Sequence, residues 1–157
     1  MINNFKNFWD SKKIVITGHT GFKGSWLSLF LSNLNAEIHG ISREEKEGIY
    51  TLGNIKNIFE SEAFLDISNS NTEDLDKLIS DINPEIIFHF AAQSLVIEGY
   101  ENPKDTIYSN IIGTYNMMES VNRVSTAKSL VISTTDKVYK NSDLDNAENS
   151  ELGGKGY

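Results

Sequence analysis

The sequence predicts an α/β fold, a doubly wound parallel sheet of five strands with flanking helices. Three observations predict it. Short β-rich runs alternate with helical patterns from residue 13 onward, the order expected of βαβ units. The first run, Lys13-Ile14-Val15-Ile16-Thr17, is almost continuously apolar, as a strand covered on both faces must be. A glycine-rich turn, Gly18-His19-Thr20-Gly21-Phe22-Lys23-Gly24, follows that strand directly and opens a helix.

Each later element has its own signature. The first helix is expected to reach Leu34, with Phe22, Trp26, Leu27, Phe30, Leu31 and Leu34 on one apolar face at three- and four-residue spacing. Residues 37–41 read as a second strand, and residues 42–61 as a polar loop with one short helix. Residues 63–66 form a third strand. Ser70-Asn71-Thr72-Glu73 has the form of a capping box, in which a hydroxyl and a carboxylate satisfy the first free amides of a helix. That helix turns Leu75, Leu78 and Ile79 inward and ends before Pro84, which cannot continue it. Residues 85–90 give a fourth strand. Pro103 precedes a long helix over 105–123 with Ile107, Ile111, Tyr115 and Met118 on one stripe. Residues 129–133 give the fifth strand, and residues 140–157 are polar and irregular.

Composition bounds the function. The chain has 157 residues, and about 150 residues make one domain as a prior. Fourteen Lys and Arg against 22 Asp and Glu leave a charge of −8, which argues against nucleic acid or an anionic membrane as the main partner. There is no Cys, hence no thiolate nucleophile and no Cys-based metal site. The first residues lack the apolar core of a signal peptide, and no apolar run reaches membrane-spanning length. A cytoplasmic body is the expectation.

The glycine turn carries the chemistry. Glycines three apart let the backbone turn tightly and approach a pyrophosphate, whose charge is held by amides at the helix N-terminus. The strand–turn–helix context makes this a Rossmann-like dinucleotide site; a tight turn without a ligand is the alternative. The usual acidic partner of the ribose hydroxyls is missing, and Gly40-Ile41-Ser42-Arg43 stands there instead. A serine and an arginine can accept a 2′-phosphate, so NADP stays open beside NAD, and so does Arg43 as a solvated loop residue. Asp66 either hydrogen-bonds an adenine amino group or simply ends its strand. His39 and His89 read as packed histidines, and no metal site is expected. His19 either reaches substrate or nicotinamide or packs. Glu44-Glu45-Lys46-Glu47 reads as a solvated face, and Met117-Met118 as core.

Gly18 to Leu27, reading GHTGFKGSWL, is more specific than a generic glycine pattern. It resembles the extended short-chain dehydrogenase/reductase (NAD-dependent epimerase/dehydratase) family, most closely its CDP-glucose 4,6-dehydratase branch. Phe8-Trp9 fits that branch too. Asp66-Ile67 matches the family's adenine-contacting pair. The segment from Pro84 to Gln93, with Phe90-Ala91-Ala92, resembles the family's fourth strand and the small-residue turn beside the cofactor. Asn110-Ile111-Ile112-Gly113-Thr114 resembles the helix behind the active site, and Thr134-Thr135-Asp136-Lys137-Val138-Tyr139 the fifth-strand active-site motif.

The resemblance implies NAD as cofactor, bound by Gly18, Thr20, Gly21, Phe22, Lys23, Gly24, Asp66, Ile67, Phe90, Ala91 and Ala92. It implies a nucleotide-sugar substrate, CDP-glucose, a cytoplasmic place in lipopolysaccharide biosynthesis, and a redox-neutral dehydration to a 4-keto-6-deoxy sugar. Such a reaction needs a base at O4, a base at C5 and an acid at O6. By resemblance Thr135 supports the O4 end, Asp136 protonates the departing C6 hydroxyl, and Lys137 stands where relatives carry the C5 base. Lysine serves as a base only with a lowered pKa. A surface ion pair is the plainer reading of Asp136 and Lys137.

The sequence also departs from the family. Its defining Tyr and Lys pair follows a Leu-Gly-Gly stretch; Leu152-Gly153-Gly154 is present, but the chain ends at Tyr157, at or one residue before that Tyr. The expectation is therefore an incomplete NAD-binding domain over 1–157, inactive alone, without the nucleotide-sugar domain. After Gln93, Glu98 and no arginine stand where the branch has basic residues. A non-catalytic dinucleotide-binding module and an epimerase or reductase remain alternatives. Exposed apolar surface is expected, as is homodimer formation at full length through the 105–123 helix by Tyr115, Met118 and Val121.

Overall fold

The structure, a computed structural model, describes residues 2–69, 71–135, 138–140 and 145–153. Helix α1 (Ile2–Trp9) leads to strand β1 (Lys13–Thr17), helix α2 (Phe22–Ser32) and strand β2 (Glu37–Ser42). The single-turn α3 (Ile49–Leu52) and a 3-10 turn (Ile55–Ile58) precede β3 (Ser61–Phe64), α4 (Glu73–Ile82) and β4 (Ile86–His89). Helices α5 (Val96–Glu101) and α6 (Pro103–Ile107) follow. A π turn (Tyr108–Ile112) joins α6 to α7 (Gly113–Asn122), and β5 (Ser129–Ile132) completes the sheet.

All five strands pair in parallel in the order β3-β2-β1-β4-β5. The register sets Ile41, Thr17, His89 and Ile132 in one row, so the C-terminal ends of these four strands share an edge. The alternating side chains of buried strands fill two cores. Ile14, Ile16, Ile38 and Ile86 pack with Leu31 on the α1–α2 face. Val15, Ile41 and Ile87 pack with Leu75, Ile79, Ile82 and Met117 on the α4–α7 face. Each such side chain contributes about 1.5–3 kcal/mol by leaving water. The near-continuous apolar reading of β1 follows from these two covered faces.

Several expectations change. The predicted single apolar face of the first helix splits. Leu31 is buried and Leu27 and Leu34 pack beside it, but Phe22, Trp26 and Phe30 are exposed. The buried stripe is instead Gly24, Ser25, Ser28 and Leu31. The reason is space: a Cβ on Gly24 would lie 2.2 Å from the Gly18 carbonyl oxygen, so α2 rests directly on the glycine turn and only small residues fit its inner side. The third strand begins and ends two residues earlier than predicted, leaving Asp66 beyond it. The amide of Glu73 donates to Asn71 Oδ1 at 3.0 Å, with Thr72 at the cap position; Ser70 lies outside the described residues. Met117 is core, whereas Met118 is half exposed. The long helix forms with a π turn interrupting it; its Ile107, Ile111, Tyr115 and Met118 stripe faces outward, whereas Val121, expected beside Tyr115 and Met118 as an outward contact, packs against the α4–α7 core.

Among the described residues, no helix is long and apolar enough to cross a membrane.

Candidate functional site

A cleft of about 400 Å³ opens at the C-terminal edge of the sheet, where ligands of open α/β sheets bind. Its floor is the glycine turn. Gly18 takes φ +72° and donates its amide to Ile41 O at 2.7 Å. A Cβ there would stand 2.8 Å from the main chain of Phe90 and Ala91, so only glycine lets the first and fourth strand ends approach this closely. Gly21 caps α2 without any side-chain hydrogen bond. The cap residue therefore offers the first-turn amides of α2 no side-chain acceptor, and a helix N-terminus in that state suits an anion.

Thr17 ties the strand ends together. Its Oγ1 accepts from the amides of Phe90 and Ala91 at 3.2 and 3.1 Å and lies 2.8 Å from His89 Nδ1. His89 Nε2 lies 3.0 Å from Thr114 Oγ1, which itself donates to Asn110 O. The acceptor duties of Thr114 make Nε2 the protonated nitrogen and Nδ1 the acceptor from Thr17. Burial pushes the His89 imidazole down to about 4, so it is neutral and ties β1 and β4 to the start of α7. Asn110 then holds the β4–α5 loop in place, accepting from Gln93 N at 2.8 Å and donating to Gln93 O at 2.9 Å.

His19 packs beneath the glycine turn. It is fully buried, its Nδ1 lies 2.9 Å from Ser42 Oγ and its Nε2 lies 2.9 Å from Glu62 Oε1. A Cβ on Gly40 would meet its ring at 2.6 Å. Burial lowers its pKa despite the Ile41 main chain and Glu62. It does not line the cleft, so of the two readings of His19 packing is the one realised.

Arg43 is an exposed loop residue, but its guanidinium is paired rather than free. Its Nη1 donates to Asp105 Oδ1 at 3.0 Å, its Nη2 donates to Ser109 Oγ at 2.6 Å, and its Nε stands 3.9 Å from Asp66 Oδ2. Asp66 Oδ1 accepts from the Ser68 amide and hydroxyl at 2.9 and 2.6 Å. Burial alone would raise the Asp66 carboxyl, but these hydrogen bonds and Arg43 outweigh it and hold its pKa below the usual value.

Gly18, Thr20, Gly21, Asp66, Ile67, Phe90, Ala91 and Ala92 all line this cleft. Phe22, Lys23 and Gly24 form the first turn of α2 and do not line it; Lys23 Nζ reaches Ser133 Oγ at 3.4 Å, just past β5. Thr135 follows the C-terminal end of β5 by three residues and is exposed. Asp136, Lys137 and Tyr157 lie outside the described residues. Sequence reasoning missed Asp105 and Ser109. Their four-residue spacing after Pro103 puts both on one helical side, a signal that was present but pointed to no particular partner.

A family model described as GDP-mannose 4,6 dehydratase matches residues 15–151. The chain belongs to that family. CDP-glucose 4,6-dehydratase of Salmonella typhimurium, a curated relative, is 38% identical over 157 residues, covering 95% of this chain. GDP-mannose 4,6-dehydratase of Yersinia enterocolitica is 32% identical over 70% of this chain. The chain spans 42% and 31% of the lengths of these two relatives. Among solved structures, the UDP-Glc/GlcNAc 4-epimerase from Campylobacter jejuni superposes with a TM-score of 0.77 at 24% identity, over 92% of this chain and 44% of that one. The UDP-glucose-4-epimerase from Stenotrophomonas maltophila with bound NAD and formylated UDP-arabinopyranose gives 0.75 at 21%, over 89% and 42%. The sheet order and the glycine turn of this GDP-mannose 4,6 dehydratase family member are thus set in a fold shared with epimerases.

Proposed function

We propose that this chain is the NAD-binding part of a nucleotide-sugar 4,6-dehydratase that converts CDP-glucose to CDP-4-keto-6-deoxyglucose. The observation that carries the reading is the cleft itself: an uncapped α2 N-terminus beside Gly18 and Gly21, walled by Asp66, Ile67 and the Phe90–Ala92 turn. These residues fit a dinucleotide, with the α2 amides facing the pyrophosphate and Asp66 and Ile67 at the adenine end. When bound, NAD supplies the acceptor for the C4 hydride and its return to C6.

The chain's own residues supply positioning and protons. The Thr135 hydroxyl is assigned to hold the sugar O4. Asp136 is assigned to protonate the C6 oxygen as water leaves, and Lys137 to take the C5 proton in its neutral form. The Thr135-Asp136-Lys137 set favours dehydration over epimerisation, because an epimerase needs no acid for a departing C6 hydroxyl. The O4 base is, on this reading, Tyr157 or the residue after it, and the Lys that completes the pair belongs to the longer protein together with the nucleotide-sugar domain; cytoplasmic lipopolysaccharide precursor synthesis and a homodimer go with it.

Two measurements test the reading. Calorimetric titration of the 157-residue chain is expected to show one-to-one binding of NAD and no turnover. The whole protein with NAD and CDP-glucose is expected to form a 4-keto product that absorbs in strong base, and a Lys137→Met variant to lose most of that activity while still binding NAD. Absence of NAD binding removes the site, and absence of the keto product removes the reaction.

A further inference from the structure

We propose that Asp105, on α6, sets the choice between NAD and NADP by neutralising Arg43. The inference rests on the dinucleotide reading of the cleft and goes beyond it to selectivity. Arg43 directly follows the last residue of β2, the place where a dinucleotide's adenine ribose meets the protein. A cation at that place ordinarily signals acceptance of a 2′-phosphate.

Here the cation is already committed. Asp105 takes Nη1 at 3.0 Å, Ser109 takes Nη2 at 2.6 Å, and Asp66 stands 3.9 Å from Nε. A phosphate could recruit the guanidinium only by displacing a carboxylate and leaving it unpaired beside a dianion. Ser42, the other candidate receptor, is committed too: its Oγ accepts from Thr20 N at 3.3 Å and pairs with His19 Nδ1 at 2.9 Å. The surroundings deepen the bias. Glu44, Asp66, Glu98 and Asp105 line the cleft against Arg43 and Lys46 alone, so among the described residues acid outnumbers base where the phosphate would lie. A ribose hydroxyl needs only an acceptor, which these carboxylates supply.

Asp105 is the residue whose removal reverses this. It is about half exposed, so Asp105→Asn keeps the shape of α6 and frees Arg43. The test uses 2′,5′-ADP and AMP, which differ by the 2′-phosphate and do not need the nicotinamide half, beside NAD and NADP, all by calorimetric titration. The wild-type chain is expected to bind NAD and AMP in preference to their 2′-phosphorylated counterparts. In Asp105→Asn the ratio of 2′,5′-ADP to AMP affinity is expected to rise at least about tenfold, a shift of about 1.4 kcal/mol. Adding Arg43→Ala to that variant should cancel the gain. In the wild-type background, Arg43→Ala should weaken 2′,5′-ADP no more than AMP. A wild-type preference for 2′,5′-ADP, or an unchanged ratio in Asp105→Asn, overturns the role of Asp105 and leaves the dinucleotide site intact. Failure of all four ligands to bind the wild type would instead remove the dinucleotide site on which it rests.

Discussion

Gly24 shows how much one missing atom decides. With a Cβ, it would stand 2.2 Å from Gly18 O and 2.7 Å from the His19 Cα, both main-chain groups that cannot step aside. Gly24→Ala is expected to cost at least about 1–3 kcal/mol and to weaken dinucleotide binding; a urea melt with native stability would contradict the contact. The histidines carry a second prediction. All three are buried, and burial lowers the pKa of each. A histidine that protonates less readily when folded lets the unfolded chain bind more protons, so stability is full above pH 6.5 and falls as pH drops toward 4. His89 alone, shifted from 6.5 to about 4, accounts for about 3 kcal/mol of that loss. Chemical denaturation between pH 7 and 4 should show the slope, and His89→Gln should flatten it by one titrating group. The glycine turn was legible at this scale because its chemistry lies in consecutive residues. The burial of His19 was not, since Glu62 and Ser42, which hold it, are far away in the chain.

The π turn illustrates the same limit for elements. Residues 105–123 read as one uniform helix because Tyr108-Ser109-Asn110-Ile111-Ile112 contains no proline or glycine to mark a break. The turn widens where Asn110 takes both main-chain groups of Gln93, a long-range contact that periodicity does not encode. Asn110→Ala removes both bonds and strands the Gln93 amide; it is expected to cost about 1–3 kcal/mol and to raise hydrogen exchange in residues 90–95. Unchanged exchange there would mean that the loop is held by other contacts. The aromatic residues of α2 misled for a related reason. Three-to-four spacing reports an apolar stripe but not what covers it, and the small residues Gly24, Ser25 and Ser28 carried the real inner face. Strands β1 and β4 were legible because burial on both faces writes a nearly unbroken apolar run, Ile14-Val15-Ile16 and Ile86-Ile87-Phe88.

For the whole molecule, the outward side chains decide behaviour in solution. Ile107, Ile111, Tyr115 and Met118 are 51%, 61%, 58% and 50% exposed, and together they form one apolar strip along α6, the π turn and α7. Edge strand β5 also leaves Val131 exposed. Single exposed apolar residues are ordinary, but a continuous strip marks an association surface. Sedimentation of the chain is expected to show concentration-dependent self-association, and Tyr115→Glu with Met118→Glu to abolish it; a wild-type monomer at high concentration would contradict this. Sequence spacing placed these residues on one line, yet the same spacing would serve a core; the opposite side of the helix is the one buried, through Gly113, Asn116, Met117 and Ser120. The π turn finally makes this helix a matter of phase. Losing one residue there would close it to an ordinary turn and rotate everything after it by about 100°. Met117 would leave the core, Thr114 would lose His89, and the exposed strip would point elsewhere. The segment should therefore accept changes of side chain far more readily than a change of length.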